Sequence, residues 1–142
     1  MEAITHSEEE TVLFAANLAP SLKSGDIILL RGTLGMGKSV FARSLIRTLT
    51  KQPNLDVPSP TFTLVQMYEG APWPIHHYDL YRIEDPEEIM ELGWEDALHS
   101  GLTIVEWPER LGPYKPAARL DITLSSVDND SSARQILIER KE

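Results

Sequence analysis

The sequence contains no cysteine. That absence excludes disulfides, thiol nucleophiles and thiolate metal sites together. No apolar run approaches the roughly 18 residues that a membrane-spanning helix needs. The N-terminal stretch MEAITHSEEE is acidic, unlike a secretory signal. A basic stripe is also missing: lysines and arginines are scattered, with at most Arg43 and Arg47 sharing a helix face, and the formal net charge is −9. A domain that grips nucleic acid by neutralising phosphates carries such a stripe, so direct binding of DNA or RNA is disfavoured as the main activity. An acidic protein can still serve an RNA pathway when a partner does the gripping. What is present is an ordinary globular balance, 142 residues with 42% hydrophobic and 25% charged. The expectation is one cytoplasmic domain spanning residues 1–142.

Helix and strand signals alternate along the chain. Ser7 with Glu10 reads as a capping box, and Val12, Leu13, Ala16, Leu18 and Leu22 continue at helical spacing until Gly25. DIILLR (26–31) reads as a short strand buried in a parallel sheet. Residues 38–50 read as a second helix, with Phe41, Leu45, Ile46 and Leu49 on one face. TFTLVQMYEG and IHHYDLY are strand-like runs separated by APWP, which predicts an antiparallel excursion. DPEEIMELGWEDALHSG is helical but broken near Gly93, and LTIV (102–105) is another buried strand, ending at Glu106. Residues 120–126 and 135–139 flank VDNDSSA as a closing hairpin. The pattern is α/β: a mostly parallel sheet with antiparallel hairpin excursions, flanked by helices.

The junction LLRGTLGMGKSVFARSL carries the chemistry. Gly32, Gly37, Lys38 and Ser39 fit G-x-x-x-x-G-K-[ST], directly after a predicted strand and at the start of a predicted helix. A chance match in a chain of this length has odds of about one in 200. Glycines let the backbone curl until successive N–H groups point at phosphate oxygens, and the helix start adds its positive dipole end. Lys38 then reaches the β- and γ-phosphates, and the Ser39 hydroxyl is positioned as a Mg²⁺ ligand. A second metal carboxylate is expected at the tip of a neighbouring strand, where Glu106 stands in LTIVEWPER. Asp79 in HHYDLYR is the second candidate, for water orientation or an indirect metal contact. Asp is the commoner metal carboxylate in P-loop proteins, and Glu is one methylene longer. The guanine-reading N-K-x-D is absent, which favours ATP. His76 and His77 are adjacent, so on a strand they face opposite sides and cannot share a metal.

Taken in order, GTLGMGKS, SPTFTLV, HHYDLYR, ELGWEDAL and IVEWPER resemble the TsaE (YjeE) family of small bacterial P-loop ATPases, over about residues 7–139. The resemblance implies a role in making N6-threonylcarbamoyladenosine beside the anticodon of tRNAs that read codons starting with A. It implies TsaB–TsaD-type partners, with tRNA met only through their complex and the transfer step left to them. It assigns Gly32, Thr33, Leu34, Gly35, Met36, Gly37, Lys38, Ser39 and Val40 to the nucleotide loop. It gives Mg²⁺ to Ser39 and Glu106, a switch-like role to Thr61, a part in hydrolysis to Asp79, and a site-covering or partner role to Trp107. Glu8, Thr11 and Arg134 are expected near the adenine. Arg82 is read as a surface ion-pair residue, with a phosphate or partner contact as the alternative.

The usual family loop is G-D-L-G-A-G-K-T-T; here Thr33, Met36, Ser39 and Val40 replace Asp, Ala, Thr and Thr. Serine keeps the metal-binding hydroxyl. Val40 loses one that contacts the α-phosphate, and Thr33 loses a charge near the loop. Two other readings stay open at this level: a P-loop small-molecule kinase, for which KPAARL is a short and sparsely charged lid, and a nucleotide-gated module that does not hydrolyse.

Overall fold

The computed structural model describes residues 1–33 and 35–142. Leu34, one of the predicted loop positions, lies outside the described residues. The chain forms one seven-stranded sheet from β1 (Glu2–Thr5), β2 (Ile27–Arg31), β3 (Val65–Tyr68), β4 (Ile75–Asp79), β5 (Leu102–Glu106), β6 (Arg119–Val127) and β7 (Asp130–Lys141). Three helices, α1 (Glu8–Leu18), α2 (Lys38–Thr50) and α3 (Trp94–Leu98), and several 3-10 turns cover it. No helix among the described residues is long and apolar enough to cross a membrane.

The strand order is β1-β7-β6-β2-β5-β4-β3. The middle four are parallel, because β2 pairs in parallel with both β5 and β6, and β4 with β5. Both flanks are antiparallel, β3 on β4 at one side, β7 on β6 and β1 on β7 at the other. From β2 the chain builds one side of the sheet and only later returns to β6 on the other. That reversal at β2 is the topological switch point outside which α/β sheets bind ligands.

Strand alternation explains the two cores. Ile28 and Leu30 of β2, Leu102 and Ile104 of β5 and Ile75 of β4 pack beneath Phe41, Leu45 and Ile46 of α2. Leu29, Tyr78 and Val105 face the other way, onto Ile89, Trp94 and Leu111. Complete burial of an α2 side chain such as Phe41 contributes about 1.5–3 kcal/mol, so α2 is held firmly over the sheet. The period of two also puts His77 and Asp79 on the same face as Ile75, and Glu106 on the same face as Ile104, at the carboxyl ends of their strands.

Local boundaries differ from the sequence reading in several places, and the run TFTLVQMYEG becomes a strand only over Val65–Tyr68. The first helix stops at Leu18 and continues as a 3-10 turn over Ala19–Ser21, since Pro20 cannot extend an α-helix. At its start Ser7 Oγ accepts from the Glu10 N–H at 3.1 Å, while the Glu10 carboxylate accepts from the His6 N–H at 2.8 Å, one residue before the cap. The closing hairpin is tighter than expected: Val127 pairs with Asp130, leaving only Asp128 and Asn129 as its turn, and Asn129 takes φ 66°. The N-terminal strand β1 was not anticipated.

Candidate functional site

The loop between β2 and α2 is shaped by glycines in left-handed backbone conformations, and at Gly32 there is also no room for a side chain. Gly32 has φ 146°, and a Cβ there would stand 2.6 Å from the Leu124 carbonyl oxygen on β6. Gly37, at φ 97°, turns the chain into α2 without a side-chain cap. The first-turn N–H groups of α2 are therefore left for an anion. Lys38 opens that helix and is 5% exposed, yet its ammonium has no hydrogen-bond partner among the described residues. Nζ instead lies 3.4 Å from the centroid of the Trp107 ring. Burial lowers the Lys38 pKa below its ordinary value, partly opposed by the negative charges of Glu106, Glu109 and Asp79. A buried cation without a partner is costly unless something anionic arrives to meet it.

The carboxylates stand on adjacent strands, where Asp79 is paired with Glu106 in register. Ser39 Oγ donates to Glu106 Oε1 at 3.2 Å, and the other carboxylate oxygen, Oε2, lies 2.7 Å from His77 Nε2. Asp79 is buried too, and its Oδ2 accepts from Thr61 Oγ1 at 3.1 Å and Ser59 Oγ at 3.3 Å. Its Oδ1 accepts from the Tyr81 N–H at 3.0 Å. The segment carrying Thr61 is tied to β4 by the Asp79 N–H, which donates to the Leu64 carbonyl at 3.0 Å.

A cavity of about 660 Å³ joins these groups. Lys38, Thr61, Asp79 and Glu106 line it, as do Glu8 and Thr11 of α1 and Arg134 of β7. Gly35, Met36, Gly37, Ser39 and Val40 line it too, while Gly32 and Thr33 precede it and do not. Arg134 is anchored to the loop itself, donating to the Gly35 carbonyl at 3.3 Å. Arg82 forms no ion pair within 4.0 Å among the described residues; its guanidinium lies 4.8 Å over the exposed ring of Phe62. Ser59, Tyr81 and Ser132 also reach the cavity without having been singled out from sequence.

A family model described as "Threonylcarbamoyl adenosine biosynthesis protein TsaE" matches residues 5–136. This chain belongs to the TsaE family. Relatives named "tRNA threonylcarbamoyladenosine biosynthesis protein TsaE" include one from Rickettsia conorii, 42% identical across 96% of this chain and 78% of its own length. Another, from Aquifex aeolicus, is 38% identical across 99% of this chain and 96% of its own length. The crystal structure of Bacillus subtilis YdiB superposes with a TM-score of 0.82 at 27% identity, covering all of this chain and 86% of that one. The fold is accordingly P-loop NTPase-like, and in this TsaE-family chain the cavity sits where the P-loop meets the switch point of the sheet. His77, excluded above from sharing a metal with His76, is a buried polar neighbour of Glu106. Its place two residues before Asp79 on a strand was the available signal, since that spacing points both side chains to one face.

Proposed function

We propose that residues 1–142 act as a single P-loop ATPase domain. In that reading the protein binds ATP with Mg²⁺ and serves as the accessory ATPase of the machinery that makes N6-threonylcarbamoyladenosine at position 37 of tRNA, in the cytoplasm. Membership of the TsaE family carries the pathway. The single observation that carries the nucleotide is the buried ammonium of Lys38, with no hydrogen-bond partner among the described residues, at an uncapped helix start.

The residues fit the group they are asked to hold. N–H groups of Gly35, Gly37, Lys38, Ser39 and Val40 are suited to the phosphates, and Lys38 supplies the charge that meets them. Ser39 and Glu106 would hold the metal, with phosphate oxygens completing its shell. Among the described residues no three His, Cys, Asp or Glu side chains stand together as a cage, so the ion is expected to arrive with the nucleotide. Bound Mg²⁺ neutralises charge on the phosphates and aligns them for in-line attack. Asp79, held by Thr61, Ser59 and the Tyr81 N–H, would orient the attacking water. Arg134, Glu8 and Thr11 are assigned to the adenosine end. TsaB–TsaD-type proteins are the proposed partners, with tRNA contacted only through them.

The deciding experiment is calorimetry of ATP binding to Lys38→Ala. Loss of binding in a protein with an unchanged circular dichroism spectrum is the expected result. Wild-type affinity in that variant would overturn the cradle.

A further inference from the structure

The Glu106 carboxylate is held from both sides. Ser39 Oγ takes one oxygen at 3.2 Å and His77 Nε2 stands 2.7 Å from the other. The His77 and Glu106 side chains are 1% and 3% exposed, so water does not compete for the contact. An ionised carboxylate only accepts hydrogen bonds, which makes Nε2 the donor. The other ring nitrogen, Nδ1, is buried with no partner among the described residues. A proton there would be wasted, and Nε2 would then turn a lone pair on the carboxylate. The geometry assigns His77 as the positioning residue of the metal carboxylate: an imidazole whose Nε2–H fixes the rotation of Glu106, leaving Oε1 beside the Ser39 hydroxyl where the ion is to be held.

This inference rests on the proposed metal role of Glu106 and adds a residue to it. Removing the donor leaves a buried carboxylate oxygen without a partner, free to rotate away from Ser39. Supporting partners of metal ligands typically contribute 10–100-fold to metal affinity or activity. Their contribution falls on the metal and spares the binding of phosphates to backbone and lysine.

The test measures binding of a non-hydrolysable ATP analogue as Mg²⁺ is varied, in wild type, His77→Phe, His77→Gln and Glu106→Gln. His77→Phe keeps a planar ring and loses the donor, so the half-saturating Mg²⁺ concentration should rise about 10–100-fold. Binding without Mg²⁺ should stay as in wild type. His77→Gln restores an N–H near the Nε2 position and should return the Mg²⁺ response to within a few-fold of wild type. A wild-type response in His77→Phe overturns the inference, and so does a His77→Gln response as poor as that of His77→Phe, which would mark the ring as packing alone. A wild-type response in Glu106→Gln instead overturns the metal assignment beneath it. If either His77 variant fails to fold, the imidazole ¹⁵N spectrum of the wild-type protein decides: a protonated Nε2 supports the inference, a bare Nε2 ends it.

Discussion

Lys38 and Trp107 hold each other in a contact that a nucleotide bound as proposed would break. The ammonium sits 3.4 Å from the ring centroid, a cation–π distance, and Trp107 adopts φ 60°, a left-handed conformation worth of order 1–3 kcal/mol of strain for a residue of this kind. The indole face supplies weak negative potential where phosphate oxygens would supply much more. ATP should therefore draw Lys38 off the ring and change the intrinsic fluorescence. Trp73 and Trp94 also emit, so the control is Trp107→Phe, in which the ATP-dependent change should vanish; its persistence would show that Trp107 does not sense the site. The same lysine predicts a pH effect in the nucleotide-free protein. Its folded pKa lies below the ordinary 10.5 because burial disfavours the charge. Between the folded pKa and 10.5 the unfolded chain binds more protons, so stability rises with pH across that window. Lys38→Met keeps the length and lacks the charge. It should be more stable than wild type at pH 7 in urea unfolding, with the gap narrowing by pH 10. A gap that widens with pH would contradict the assigned shift.

The P-loop is an element set against a wall. Gly32 abuts the β6 backbone, so Gly32→Ala must push the loop off Leu124 or distort β6. Nucleotide binding should fall by at least tenfold, with unfolding free energy lower by about 1–3 kcal/mol. Wild-type ATP affinity in Gly32→Ala would mean the loop has slack that the contact distance denies. Elements with a local cause could be read from the sequence. The α2 helix follows from the spacing of Phe41, Leu45 and Ile46, β2 and β5 from short apolar runs, and the break at Gly93 from its φ of 74°. Elements whose cause is distant could not. EAIT carries no periodic signal, and β1 exists because β7 offers it an edge more than a hundred residues away. The hairpin tip is not legible because Ser131 and Ser132 resemble loop residues; they belong to β7, but the pairing with β6 skips them, passing from Ser126–Arg134 directly to Val127–Asp130. At the site, the motif gave Lys38, Ser39 and the glycines directly, and strand ends gave Asp79 and Glu106. His77 was set aside as half of a histidine pair, since neighbours along a strand say nothing of neighbours across it. Its partner is on β5.

For the whole molecule, no arginine-rich lid covers the cavity among the described residues. In P-loop enzymes an arginine finger alone is worth about 10³–10⁵ in rate. The isolated protein should therefore hydrolyse ATP slowly, and a partner that orders the Thr61 segment and excludes water should accelerate it. Phosphate release by the purified protein, alone and with TsaB–TsaD-type partners, checks this. Fast turnover that partners do not alter would identify an independent ATPase. Sheet order has a separate consequence, for the chain while it is being made. The partners of β2 are β5 and β6, so β2 leaves the ribosome long before either neighbour exists. Synthesis at about 5–20 residues per second leaves it waiting for seconds. When β5 arrives, the other edge of β2 is still bare, an apolar IILL row with unpaired N–H and carbonyl groups. Only β6 covers that edge and supplies the Leu124 carbonyl on which Gly32 rests, and only β7 after it brings Arg134. Translation thus finishes the proposed nucleotide site last, and a product truncated before residue 119 would present a sticky strand to its neighbours.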